Sequence, residues 1–239
     1  ANGLPYISLD GQSNPEIYEL DRERLGEMTS RIVTLSLTWF FSRDERYAIK
    51  AREQIYTWFF NKETLMNPHF KYAQIVRGEN NDKGRSYGLI DGYSFIEMLD
   101  AVQLLESSKC FTRQDSQKLK RWFSLFLKWY IESSQGRKEN RAANNHSLAY
   151  HVQVTAFALY CGNKKLVEKY IRMFPEARVF KQTEPDGRQP QELRRTLAYG
   201  YSEFNIRHMI DMFMLAKNYG LNIDRATSTD GRSFYKAVD

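Results

Sequence analysis

Glu139-Asn-Arg-Ala-Ala-Asn-Asn-His-Ser-Leu-Ala-Tyr-His-Val-Gln-Val-Thr-Ala-Phe-Ala-Leu-Tyr160 changes character half-way along. Its right half carries Leu148, Val152, Val154, Ala158 and Leu159 at helical spacing and reads as a buried helix. Its left half is polar and holds no aliphatic side chain larger than Ala. Asn144, Asn145 and His146 therefore stand where a polar loop feeds a buried helix. There an amide can donate hydrogen bonds to an anion, and the imidazole can carry a proton. A structural reading competes: Asn144 or Asn145 caps the helix, and His146 merely lies in its first turn.

Outward from this stretch the helical period recurs. Asn14-Pro15 reads as cap and first helical residue of a helix over 16–42, with Leu20, Leu25, Met28, Ile32, Leu35 and Trp39 on one face. Further helices are expected over 45–60, 93–105, from Thr112 or Asp115 to about Ser133, over 165–174, and over 191–218 with an interruption near Gly200. Ser233 to Asp239 reads as the first turns of another helix. Residues 61–86 and 175–190 read as long loops, and 134–140 as a short polar one. Almost nothing reads as a strand. The predicted class is all-α, with helices joined by alternating short and long loops in antiparallel pairs.

Composition narrows the function classes. In 239 residues, 42% hydrophobic and 27% charged suits a soluble globular chain. No apolar run approaches the roughly 20 residues of a membrane span, so no membrane partner is expected. The net charge of +6 favours an anionic partner, but the basic residues are dispersed rather than clustered. That speaks against nucleic acid. Two cysteines and four histidines make no metal-ligand spacing, so no metal and no cofactor is expected. His151 and His208 read as helix residues and His69 as a loop residue.

A second polar cluster, Asp186-Gly-Arg-Gln-Pro-Gln-Glu-Leu-Arg-Arg-Thr-Leu-Ala-Tyr-Gly-Tyr-Ser-Glu-Phe-Asn205, offers Arg188, Arg194, Arg195, Tyr199 and Tyr201. Two further stretches matter: Gly84-Arg-Ser-Tyr-Gly-Leu-Ile-Asp-Gly92, and the opening Leu4-Pro5-Tyr6 with Asp10-Gly11-Gln12-Ser13-Asn14-Pro15. Together with Asn144-Asn145-His146-Ser147, and in this order, the set resembles the alginate lyase superfamily of polysaccharide lyases. Ser147-Leu148-Ala149 after the histidine departs from relatives that carry Gly or an aromatic there.

The resemblance implies an incomplete (α/α) toroid of antiparallel helix pairs, and cleavage of a uronate-containing polysaccharide by β-elimination. It carries catalytic roles to Asn145, His146, one of Arg194 and Arg195, and one of Tyr199 and Tyr201. The Thr after Arg195 and the Tyr-Ser pair favour Arg195 and Tyr201. Substrate binding falls to Asn144, Arg85, Tyr87, Arg194 and Tyr199, with loop aromatics around Phe70 and Tyr72. For Arg85 the alternative is a cap or salt bridge near Asp91.

The chemistry suits these residue types. Removing the C5 proton of a uronate builds an enolate dianion, which amide donors and an arginine stabilise. A base takes the proton and an acid protonates the departing O4. Syn elimination lets Tyr201 do both; anti elimination uses His146 as base and Tyr201 as acid. The expected partner is an anionic polysaccharide, and the expected location periplasmic or secreted. The chain is expected to be a single domain cut at its C-terminal end, with a leader removed before Ala1. A non-catalytic carbohydrate-binding module on the same scaffold is the alternative. A toroidal glycoside hydrolase ranks third, because no facing carboxylate pair stands out.

Overall fold

The computed structural model describes residues 10–12, 21–76 and 80–239. The proposed Asn14-Pro15 helix start, residues 16–20 of the first helix and the Leu4-Pro5-Tyr6 lead-in lie outside them. Eleven α-helical elements are described: α1 (Asp21–Ser42), α2 (Glu45–Phe59), α3 (Ser94–Leu105), α4 (Arg113–Glu132), α5 (Ser134–Asn140), α6 (Asn145–Tyr160), α7 (Lys164–Phe174), α8 (Phe180–Gln182), α9 (Pro190–Leu193), α10 (Ala198–Asn218) and α11 (Phe234–Val238). A 3-10 segment, Ser86–Tyr93, leads into α3, and a single π turn, Pro175–Val179, joins α7 to α8. Among the described residues the only extended pairing is an isolated bridge between Thr227 and Ser233. The molecule is all-helical, as its periodicity predicts.

Local chemistry sets several boundaries. Arg43 takes a positive φ of 57° and Asp44 caps α2 by accepting from the Arg46 N–H, so α1 and α2 turn back on each other through two residues. Thr112 opens α4 with a capping box: its hydroxyl accepts from the Asp115 N–H (3.2 Å), and the Asp115 carboxylate accepts from the Thr112 N–H (3.0 Å). Arg52 of α2 grips the same carboxylate at 2.9 and 3.1 Å, tying α2 to α4. Gly162, with φ of 73°, follows the end of α6, and Asn163 caps α7.

Two expectations need correction. Residues 134–140, read as a polar loop, form α5; Ser133 caps it, and Gly136 lies so close to α4 that a Cβ would overlap the Tyr130 carbonyl. The last long helix is interrupted at 194–197, near Gly200 as expected, and Gly200 itself lies inside α10. The stretch 175–190 is also more ordered than a loop, being helical to Gln182.

The core centres on α6. Of its sixteen residues only His146 and Leu159 are not fully buried, which is the pattern of a helix enclosed on all sides. Helices α3, α4, α7 and α10 and the 3-10 segment surround it. Rings fill the space towards α2 and α4: Phe59 on Trp122 (4.8 Å between centroids), Phe70 on Phe126 (5.1 Å) and Phe95 on Phe123 (5.4 Å). Phe70, expected to meet substrate, belongs to this core, whereas Tyr72 is exposed. Among the described residues no helix is long and apolar enough to cross a membrane.

Candidate active site

The N-terminal end of α6 is built unlike an ordinary cap. Asn144 occupies the cap position, but its side chain makes no cap bond. The Glu192 carboxylate of α9 does that work, accepting from the Asn145 backbone N–H (2.7 Å) and from Asn145 Nδ2 (2.8 Å). Asn145 and Glu192 are each 1% exposed. Gln182 of α8 braces the same corner, donating to the Asn144 carbonyl (3.1 Å) and the Ser147 hydroxyl (2.9 Å). Asn144 thus holds the cap position and His146 the first turn, but neither asparagine caps the helix through its side chain.

His146 follows, its side chain 17% exposed. Its Nδ1 lies 2.5 Å from Oε1 of Glu139, a carboxylate 2% exposed on α5. A carboxylate only accepts, so Nδ1 carries a proton, and in the uncharged tautomer the lone pair stands on Nε2. The ring of Tyr87 stands 5.0 Å away, and Tyr87 itself is exposed.

Tyr87 is held by the Gly84-Arg-Ser-Tyr-Gly88 turn. Gly84 and Gly88 press on Ala73 so closely that a Cβ on Gly84 would lie 2.3 Å from the Ala73 carbonyl oxygen, and one on Gly88 2.6 Å from Ala73 Cβ. The backbone is stitched there by Gly84 N–H to Lys71 O (2.8 Å) and Arg85 N–H to Ala73 O (3.0 Å). Gly84→Ala is therefore expected to cost about 1–3 kcal/mol through overpacking. Thermal melting checks it: an unchanged Tm would mean that the close approach is not maintained in solution.

Beside this turn, Asp91 pairs with Arg22 (3.3 Å) and accepts from Gln74 Nε2 at 3.3 and 3.4 Å. Arg85 Nε donates to the Gln74 carbonyl (3.2 Å). Gln74 holds a positive φ of 51°, a conformation that side chains adopt only when their surroundings impose it. Burial raises the Asp91 carboxyl above the ordinary range, against the pull of Arg22, Gln74 and His146.

The second cluster divides. The Arg195 guanidinium carbon lies over the Tyr201 ring, 3.6 Å from its centroid. It also reaches across to Asp10 (Nε to Oδ1, 2.7 Å), which accepts from the Thr196 N–H as well (2.8 Å). Bonds from Arg195, then from Thr196, hold the Asp10 carboxyl well below the usual carboxylate range. Arg194 is exposed, and Tyr199 is 84% exposed. Helix α10 then turns Asn205 and His208 inward, one and two turns beyond Tyr201. Asn205 donates to Gln189 (2.8 Å), and His208 sits between Tyr93 (4.6 Å) and Phe204 (4.3 Å).

The four motifs thus meet through contacts: Asn145 with Glu192, His146 with Tyr87, and Arg195 with Tyr201 and Asp10. Glu139, Glu192, Asp10 and Asp91 are the partners of these residues that the sequence reading did not single out. Glu139 and Glu192 stand in the quoted stretches themselves, and an acidic residue in each polar cluster was the available signal.

A family model for alginate lyases matches residues 1–239. The chain belongs to the alginate lyase family. Among solved structures, the crystal structure of an alginate lyase from Bacteroides ovatus is similar, with 50% sequence identity and a TM-score of 0.96 over 99% of this chain. The match covers 62% of that chain, so this family member spans less than two thirds of its neighbour's length. No curated protein matches it. The neighbour's fold is what its likeness carries directly to this alginate lyase family chain.

Proposed function

We propose that the protein is a polysaccharide lyase that cleaves alginate or a related uronate-containing polysaccharide by β-elimination. The observation that carries this reading is the buried Glu139 beneath His146. It orients the ring so that Nε2 is the nitrogen it leaves unengaged, with the Tyr87 ring 5.0 Å away and the buried Asn145 next in the chain. The family membership and the Arg195–Tyr201 contact support it.

In this reading, the Asn145 amide and the Arg195 guanidinium receive the uronate carboxylate as charge builds on it during loss of the C5 proton. Each such preorganised donor contributes roughly 10²–10³ in rate. Tyr201 protonates the departing O4. The base is His146 Nε2 when the C5 proton and O4 lie on opposite faces of the sugar, and Tyr201 itself when they share a face. Asn144, Arg85, Tyr87, Arg194 and Tyr199 would bind the flanking sugars, Arg85 and Arg194 through their carboxylates. The same reading puts the protein in the periplasm or outside the cell, where such polymers are met; fractionation of producing cells checks that location.

The test is a panel of polymannuronate, polyguluronate, hyaluronan and heparan-type polymers, followed by the ultraviolet absorbance of the C4–C5 unsaturated product. A rise with at least one polymer, lost in Tyr201→Phe, is expected. Binding of a uronate polymer without any rise would overturn the lyase reading in favour of a carbohydrate-binding module.

A further inference from the structure

We propose that Glu192 is the positioning residue of this site: one carboxylate caps α6 from 47 residues away and selects the hydrogen-bonding sense of the Asn145 amide. The first backbone N–H groups of a helix have no partner within it. At α6 the residue in the cap position leaves them unserved by its side chain, and Asn144 Oδ1 is itself buried without a hydrogen bond among the described residues. Glu192 Oε1 takes the Asn145 N–H, and an anion there is also favoured by the helix dipole.

The second oxygen does something a cap does not require. An asparagine amide has two ends of nearly the same shape, one a donor and one an acceptor. A carboxylate can only accept, so Glu192 Oε2 admits the Nδ2 end and excludes the flipped amide. The main chain of Glu192 also receives the Arg195 N–H (3.0 Å). One residue therefore sets Asn145 through its side chain and the start of the Arg195 segment through its carbonyl. Its own turn is anchored to α10: the Glu192 N–H bonds to Gln189 O (3.0 Å), and the Gln189 side chain accepts from Asn205 (2.8 Å). The structural half of this proposal stands on these bonds alone, and its catalytic half rests on the lyase reading.

The experiment is a double-mutant cycle on the full chain with Glu192→Gln, Asn145→Asp and the pair together, reading Tm and steady-state kinetics. Asn145→Asp sets two buried carboxylates face to face and is expected to lower Tm by roughly 10 °C. In the pair, the amide introduced by Glu192→Gln donates to the new carboxylate and its carbonyl still accepts the backbone N–H, so most of that loss returns. Activity does not return with it, because the amide donor at position 145 is gone. Glu192→Gln alone is expected to lower kcat about 10-fold or more, with KM changed far less. A merely structural role would leave kcat at the wild-type value in folded Glu192→Gln, and that result overturns the catalytic half. Additive Tm changes overturn the proposal outright while leaving the lyase reading standing. If the wild-type chain cleaves no polymer, the lyase reading falls, and the Tm cycle still decides whether Glu192 locks the amide.

Discussion

Tyr201→Phe lowers kcat on the cleaved polymer by about 10²–10⁴-fold and leaves KM within a few-fold. The substitution removes one hydroxyl and keeps the ring on which the Arg195 guanidinium lies at 3.6 Å. The guanidinium retains its bonds to Asp10, so the arginine stays where it is. What is lost is proton transfer to the departing O4, worth about 10²–10⁴ for a positioned acid. An interaction made only in the transition state reduces kcat and kcat/KM together. His146→Gln separates the two stereochemical routes. On a polymer cleaved by anti elimination it costs as much as Tyr201→Phe; on one cleaved by syn elimination it costs much less, because Tyr201 serves as both base and acid. Tyr199→Phe, at an 84% exposed ring, leaves the rate near that of the wild type. Steady-state kinetics on the polymer panel decide the matter. Full activity in Tyr201→Phe, with loss in Tyr199→Phe, would transfer the role to the other tyrosine.

The second large effect is on stability in acid. His208 is fully buried, and neither of its ring nitrogens has a hydrogen-bond partner among the described residues. Burial, with the neighbouring His146 and Arg207 charges, lowers its pKa from 6.5 to about 3. In the folded protein the ring stays neutral over that interval, while in the unfolded chain it binds a proton. The unfolded state therefore binds more protons between the two values, and stability is lost as pH falls from about 6.5 towards about 3. The slope from this one group approaches about 1.4 kcal/mol per pH unit, on the order of 5 kcal/mol across the interval. His151, enclosed against Tyr170 (4.7 Å) and Phe174 (5.8 Å), is pushed in the same direction by burial and then by Arg178. His208→Phe keeps a flat ring between Tyr93 and Phe204 and removes both the titration and the unpaired nitrogens. It is expected to match or exceed the wild type near neutral pH and to unfold at distinctly lower pH. Urea unfolding at a series of pH values measures the slope. Equal slopes for the two proteins would mean that His208 carries no such burden.

Much of the architecture is written locally. The apolar spacing that places Ile32, Ile55, Val102, Phe126 and Val152 inward needs only the 3.6-residue period, and all five are buried. Thr112 and Asn163 cap because a side-chain oxygen next to a fresh helix has few competing partners. The enclosure of α6 could be read from its near-absence of charge. The element missed, α5, is polar and only seven residues long. Nothing in its own period favours a helix; the Ser133 cap and the close seat of Gly136 on α4 hold it there.

The sequence by itself determined which residue types the site offers: the Asn145-His146 pair, the Arg194-Arg195 and Tyr199-Tyr201 choices, and the two-glycine turn that carries Tyr87. Only the tertiary structure decided how they are held. Glu139 lies under His146 because α5 packs beside α6; Glu192 takes Asn145 from 47 residues away, and Asp10 takes Arg195 from 185. Each of those bonds joins segments whose separation along the chain carries no periodic signal. The choice of Arg195 and Tyr201 as the contacting pair likewise depends on where the break at 194–197 leaves the first turn of α10. Helical period is a property of neighbours a few residues apart, whereas the orientation of an amide or an imidazole is set by whichever carboxylate the packed helices bring to it.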